Sequence, residues 1–235
     1  QAGFKAVEFA DPYPETIDQV RRWLAEAGLE LLLINSPMGE PGTPTRWGSA
    51  CLPDQDAQFR RGVLQALEYA TGLGAPFVHV PGGAVPEGSS LVEGLAHYET
   101  NIAWAAEQAA ACGVRILLEA INRQTAPRFV VDGLPTTAEV IQSVGGDHVG
   151  LLFDAFHAQL TEPNMVESYR AHEHLTHYVQ VADSPGRHEP GTGSMDFAGL
   201  WSTLKANGYQ GWIGCEYHPQ GATVEGLGWL PAAAS

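Results

Sequence analysis

The chain is nearly without lysine: of its 12 basic residues only Lys5 and Lys205 are lysines, against 27 acidic residues, for a formal net charge of −15. Schiff-base catalysis needs a desolvated lysine, but Lys5 precedes a strand pattern and Lys205 belongs to a helical surface pattern, so that chemistry is excluded. A long-range field of this sign repels nucleic acid and anionic membranes. Neither is an expected partner, and any anionic substrate has to be captured by a few local arginines. Cysteine is scarce as well. Cys51, Cys112 and Cys215 are an odd number at wide spacing, which fits reduced thiols in a cytosolic protein better than a disulfide framework and matches no zinc spacing. No run approaches the roughly 18 apolar residues of a membrane span, and the opening QAGFKAVEF has neither the basic start nor the apolar stretch of a signal peptide. A G-x-S-x-G elbow, a P-loop and a complete G-x-G-x-x-G are all missing, since GTGSMD lacks the last glycine. Hydrolase, kinase and dinucleotide readings have little support.

What is present is an alternation of short β-rich runs and longer amphipathic patterns. Strands are expected at 6–9, 30–35, 77–80, 115–120, 149–155, 178–183 and 212–217. Helices are expected at 15–28, 56–74, 91–113, 136–145, 164–175 and 197–208, most of them ending in glycine as helix C-termini tend to. Near-continuous apolar strands separated by helices argue for a parallel sheet buried on both faces. Units of this length point to a doubly wound sheet or a (β/α)₈ barrel, and 235 residues suit one domain spanning 1–235. A closed barrel has eight strands. Seven are visible, so the pattern reads as a (β/α)₈ barrel lacking its first βα unit.

Polar residues cluster where strands end. RILL is followed by Glu119, GLLF by Asp154, YV by Gln180 and WIGC by Glu216. In a parallel barrel those ends open onto one face, and adjacent strands lie about 4.8 Å apart, so three carboxylates and an amide can converge. Such a cluster is costly to bury unless a cation compensates it. Four oxygen donors suit a hard ion, Mg²⁺ or Mn²⁺. His157 and Arg187 lie on loops that can lean over these ligands. His79 ends a strand and is a candidate for the pocket wall, and Arg46 sits in a long loop that could fold over the mouth. Glu8 and Asp183 read as ordinary strand-end residues, with Asp183 at most supporting the ligands.

These residues carry a resemblance. LLEAINR, LLFDAFHAQ, VQVADSPGRHEPGTG and IGCEYHPQG, in this order and at these intervals, resemble the hydroxypyruvate isomerase family of the xylose-isomerase-like TIM barrels, over essentially the whole chain. The resemblance implies one divalent metal at Glu119, Asp154, Gln180 and Glu216, with Glu119 and Glu216 also serving as the acid-base pair, and His157 and Arg187 contacting substrate oxygens. Arg187 with Arg123 would hold the substrate carboxylate. The implied reaction interconverts hydroxypyruvate and tartronate semialdehyde through an enediolate. A four-carbon 2-oxo acid or a ketose undergoing 3-epimerisation is the alternative substrate. A cytosolic homo-oligomer is the family-level expectation. Ser194 and Ala120 depart from the family pattern, where an acidic residue and proline are usual; neither departure replaces a ligand.

Overall fold

The structure is a computed structural model that describes residues 3–230. It contains seven parallel strands in sequential order: β1 (Ala6–Glu8), β2 (Glu30–Asn35), β3 (Phe77–His79), β4 (Arg115–Glu119), β5 (Val149–Asp154), β6 (Thr176–Val181) and β7 (Ile213–Cys215). Each strand falls where the apolar runs predict it. The sheet curls into a nearly closed barrel, and its helices α1 (Ile17–Ala27), α2 (Asp56–Leu73), α3 (Leu91–Cys112), α4 (Leu134–Val144), α5 (Ala155–Thr161), α6 (Met165–His172) and α7 (Phe197–Ala206) lie in the connections.

Local chemistry sets the helix ends. Thr16 and Ser90 accept hydrogen bonds from the backbone N–H groups of Gln19 and Glu93 at the starts of α1 and α3. These satisfy donors that the first turn leaves unpaired. Gly28, Gly74 and Gly113 close α1, α2 and α3 in the left-handed conformation, which costs glycine nothing sterically. Helix α5 is absent from the sequence expectations. It is only 7 residues long, too short to display a helical period, and it starts because Asp154 accepts from Phe156 N at 2.7 Å.

Successive strand side chains point to opposite faces, and this period divides the core in two. Outward-facing Ile34, Val78, Ile116, Phe153 and Val179 pack against Val63, Ala66, Ile102, Ala105 and Val140 of the helices. Inward-facing Leu33, Leu117, Leu152 and Tyr178 form a smaller cluster inside the barrel, with Phe77 edge-on to Tyr178. One step further along each inward line the residues become polar: Glu8, Asn35, His79, Glu119, Asp154, Gln180 and, just past β7, Glu216. Strand period and barrel closure thus bring seven polar side chains to one end.

Phe153 is fully buried and packs edge-on against Tyr169 at 5.3 Å between centroids. Phe153→Ala is expected to cost about 3–5 kcal/mol, measurable as a shift in the urea-unfolding midpoint.

Candidate active site

The polar end of the barrel holds a cavity of about 120 Å³ lined by Glu8, Asn35, His79, Glu119, Gln180 and Glu216 from strand ends, by Trp47, Thr125 and Arg187 from loops, and by His157, which was expected on a loop but lies in the first turn of α5. Asp154 lies against this wall, fully buried. Its Oδ2 is 3.4 Å from Arg187 Nη2, and the same nitrogen donates to Glu216 Oε2 at 2.7 Å. One guanidinium therefore bridges two of the expected ligands while its plane lies 5.0 Å over the Phe156 ring.

Desolvation at the cavity raises all of these carboxyl groups, Glu216 among them although its side chain is half-exposed to solvent at the mouth. Glu8 and Glu216 are pushed up to about 7 and Asp154 to about 6, while Glu119 lies well above the ordinary value. Desolvation is the largest cause in each case, and mutual repulsion adds to it for Glu8, Glu119 and Glu216. Burial works against the charge of Arg187 too, but the surrounding Glu216, Asp154 and Glu119 raise it overall.

The two histidines have opposite hydrogen-bonding roles. Asn122 donates from its backbone N–H to His157 Nδ1 at 3.3 Å, with its side-chain amide 2.6 Å from the same nitrogen. The ring is neutral, since burial and then Arg187 lower it to about 3, so its one proton sits on Nε2. That atom faces Glu119 Oε1 at 3.6 Å and Asp154 Oδ2 at 3.7 Å. His79 instead directs Nδ1 at the Asn35 Oδ1 acceptor at 3.3 Å, which leaves Nε2 as an acceptor, buried without a hydrogen bond 3.4 Å from Glu119 Oε2. An acceptor facing a carboxyl oxygen favours the protonated carboxyl, in the same direction as burial.

Several site features escaped the sequence. Glu8, read as an ordinary strand-end residue, lines the cavity: its Oε1 accepts from Tyr178 OH at 2.8 Å and its Oε2 from Gln180 Nε2 at 2.6 Å. Asp183 is fully buried and accepts from four backbone N–H groups, those of Ser184, Gly191, Gly193 and Met195. It organises the PGRHEPGTG loop that presents Arg187. Arg187 itself has a left-handed backbone with φ 55°, a conformation that costs a non-glycine residue on the order of 1 kcal/mol or more. His218 N donating to Arg187 O at 2.8 Å ties the loop to the segment carrying Glu216.

Two expected substrate residues do not join this group. Arg123 is half-exposed and its Nε is paired with Asp132 Oδ2 at 2.7 Å, outside the residues lining the cavity. Arg46 stacks on Trp47 at 4.9 Å, and it is Trp47 and Met38 that reach the cavity from this loop. The loop is tied down rather than loose. Asn101 donates to Ala50 O at 2.9 Å, Cys51 N donates to Gly82 O at 2.9 Å, and a side chain at Gly48 would come within 2.1 Å of Pro81 O.

Glu119, Asp154 and His157 bring three buried donor atoms within 4.8 Å of one another, an arrangement consistent with a metal site. The buried Gln180 Oε1 has no hydrogen-bond partner, as expected of an amide oxygen kept for a cation. The carboxylate oxygens of Glu119 and Asp154 and the amide oxygen of Gln180 suit a hard divalent ion.

A family model described as a xylose isomerase-like TIM barrel matches residues 1–233. The chain belongs to that family. A Homo sapiens protein named putative hydroxypyruvate isomerase is 40% identical over 235 residues, covering 97% of this chain and 84% of that protein. The 2-oxo-tetronate isomerase of Haemophilus influenzae is 35% identical over 230 residues, covering 98% and 89%. Hydroxypyruvate isomerase of Escherichia coli is 34% identical over the same length and coverage. Within the xylose isomerase-like barrels this chain is therefore an isomerase of the hydroxypyruvate and 2-oxo-tetronate isomerase group. Among solved structures, a Brucella melitensis protein titled AP endonuclease, family 2, superposes with a TM-score of 0.92 at 31% identity, covering 98% of this chain and 89% of that one. The E. coli 3-keto-D-glucoside 4-epimerase, at 21% identity and a TM-score of 0.81 with 98% and 90% coverage, shares the fold.

Two expectations follow for this xylose isomerase-like barrel. Carboxyl groups with raised values bind their protons more tightly folded than unfolded, so their contribution to stability is present at low pH and lost as pH rises through about 6 to 7. His79 and His157 act oppositely: held neutral down to about 3, they lose stability as pH falls below 6.5. Chelator-treated protein should gain stability as pH falls from about 8 to about 6.5 and, less steeply, below that, because four carboxyl groups outnumber the two histidines; urea titrations across this range check it, and stability that climbs toward pH 8 would contradict it. Second, Asp183→Ala removes the buried acceptor of four loop N–H groups, and we expect a loss of about 3 kcal/mol, read in the same titrations.

Proposed function

We propose that the chain interconverts hydroxypyruvate and tartronate semialdehyde, with Glu119 and Glu216 as the acid-base pair. The observation that carries this reading is the meeting of Glu119, Gln180, Glu216 and Arg187 around one small cavity, with Asp154 behind them, in a chain of this family. Glu119, Asp154, Gln180 and Glu216 would hold Mg²⁺ or Mn²⁺, which supplies positive charge beside the substrate oxygens and so favours the enediolate.

The chain's own residues divide the remaining work. Arg187 is the cavity's guanidinium and presents a fork of donors suited to a planar carboxylate. His157 donates from Nε2 and His79 accepts at Nε2, so the pair distinguishes a carbonyl oxygen from a hydroxyl. In the forward direction one glutamate removes a proton from C3 while the other delivers a proton to C2, and the hydroxyl proton passes from O3 to O2, leaving the composition unchanged. Raised carboxyl values suit both roles, because a group titrating near neutrality can take and return a proton. Arg123 and Arg46 do not line the cavity and have no substrate contact in this reading.

Size supports a small acid. The 120 Å³ of the cavity has room for a three- or four-carbon acid. A four-carbon 2-oxo acid is the second reading, favoured by the relatives named 2-oxo-tetronate isomerase.

The experiment is isomerisation of both acids by chelated protein with and without added Mg²⁺ or Mn²⁺, and by Glu119→Gln and Glu216→Gln variants. We expect metal-dependent turnover, lowered about 10²–10⁴-fold in each variant. A kcat/KM higher for the four-carbon acid would select the second reading, and turnover unchanged in either variant would remove the proton shuttle.

A further inference from the structure

Gln180 is the one neutral residue among the expected ligands, and its usefulness depends on which way its amide faces. The oxygen and nitrogen of a glutamine amide are almost equal in size, so packing cannot choose between them. Hydrogen-bond partners do. Facing one way, the amide offers a cation two lone pairs; facing the other, it offers two N–H groups that repel it.

Glu8 makes the choice. Its Oε2 accepts from Gln180 Nε2 at 2.6 Å, which commits the nitrogen and leaves Oε1 buried with no hydrogen bond in a residue that lines the cavity. Glu8 is itself fixed from two other directions. Tyr178 OH, on the same strand as Gln180, donates to its Oε1 at 2.8 Å. Across the barrel on β7, Gly214 makes room: a Cβ there would come within 1.7 Å of Glu8 Oε1. Glu8 therefore spans from β1 to β6 and β7, which are far apart in the strand order.

We propose that Glu8 is a positioning residue of the active site, whose carboxyl orients the Gln180 amide so that Oε1 faces the cation and the substrate. The inference rests on the metal site proposed above, and goes beyond it by giving a role to a carboxylate that is neither ligand nor acid-base group. Partners of this kind that orient a ligand typically contribute 10- to 100-fold in metal affinity.

The test is a double-mutant cycle on Mn²⁺ affinity, measured by calorimetry on chelated protein: the unaltered chain, Glu8→Ala, Gln180→Ala and the pair, with Glu8→Gln and Tyr178→Phe beside them. Glu8→Ala should weaken Mn²⁺ binding about 10-fold or more and have no further effect once Gln180 is alanine. Glu8→Gln keeps an acceptor for Gln180 Nε2 and should restore most of the affinity, whereas a role through charge alone would leave it as weak as Glu8→Ala. Tyr178→Phe, which removes only a hydroxyl and so guards against misfolding of Glu8→Ala, should give a smaller loss that also disappears beside Gln180→Ala. Equal losses in both backgrounds, or no loss, would overturn the positioning role while leaving the metal site standing. No Mn²⁺ binding by the unaltered chain would overturn both.

Discussion

Four carboxyl groups, two of them fully buried, share the polar end of this barrel with a single guanidinium, and that excess of negative charge constrains everything around it. Glu8, Glu119, Asp154 and Glu216 lie close enough to repel one another, with Glu119 and Asp154 buried, Glu8 partly buried and Glu216 half-exposed. The arrangement persists because each is held by something specific: Tyr178 and Gln180 on Glu8, Arg187 on Asp154 and Glu216, and the first turn of α5 on Asp154. A cation is the natural complement of such a cluster.

The loops around the cavity are built as firmly as the barrel. Asp183 gathers four backbone donors into the loop that carries Arg187, and Gly193 is required there because a side chain would come within 2.3 Å of Ser184 O. On the opposite rim, Gly48 lies so close to Pro81 that only glycine fits, and Trp47 is delivered to the cavity. Isomerisation through an enediolate requires that groups on either side of a planar intermediate keep their positions to within fractions of an ångström. The hydrogen bonds and close backbone approaches of these loops would serve that need in the proposed reaction.

The two histidines show how hydrogen bonds at one remove set chemistry at the centre. His157 and His79 are both neutral and both border Glu119. Asn122 makes one a donor, and Asn35 makes the other an acceptor. The same principle governs Gln180, whose amide has its nitrogen occupied by Glu8.

The sequence by itself determined the seven strands, six of the seven helices and the four strand-end residues Glu119, Asp154, Gln180 and Glu216, because these follow from local period and from the parallel order of βα units. Helix α5 was illegible for want of length. Glu8 could not be told from a surface residue, since its partners lie 170 and 172 positions away and no local pattern encodes a contact across a barrel. The positions of Arg123 and Arg46 were also decided only in three dimensions, where Asp132 and Trp47 hold them away from the cavity. A strand's period tells which way a side chain points, but only the closed curvature of the sheet decides which side chains meet.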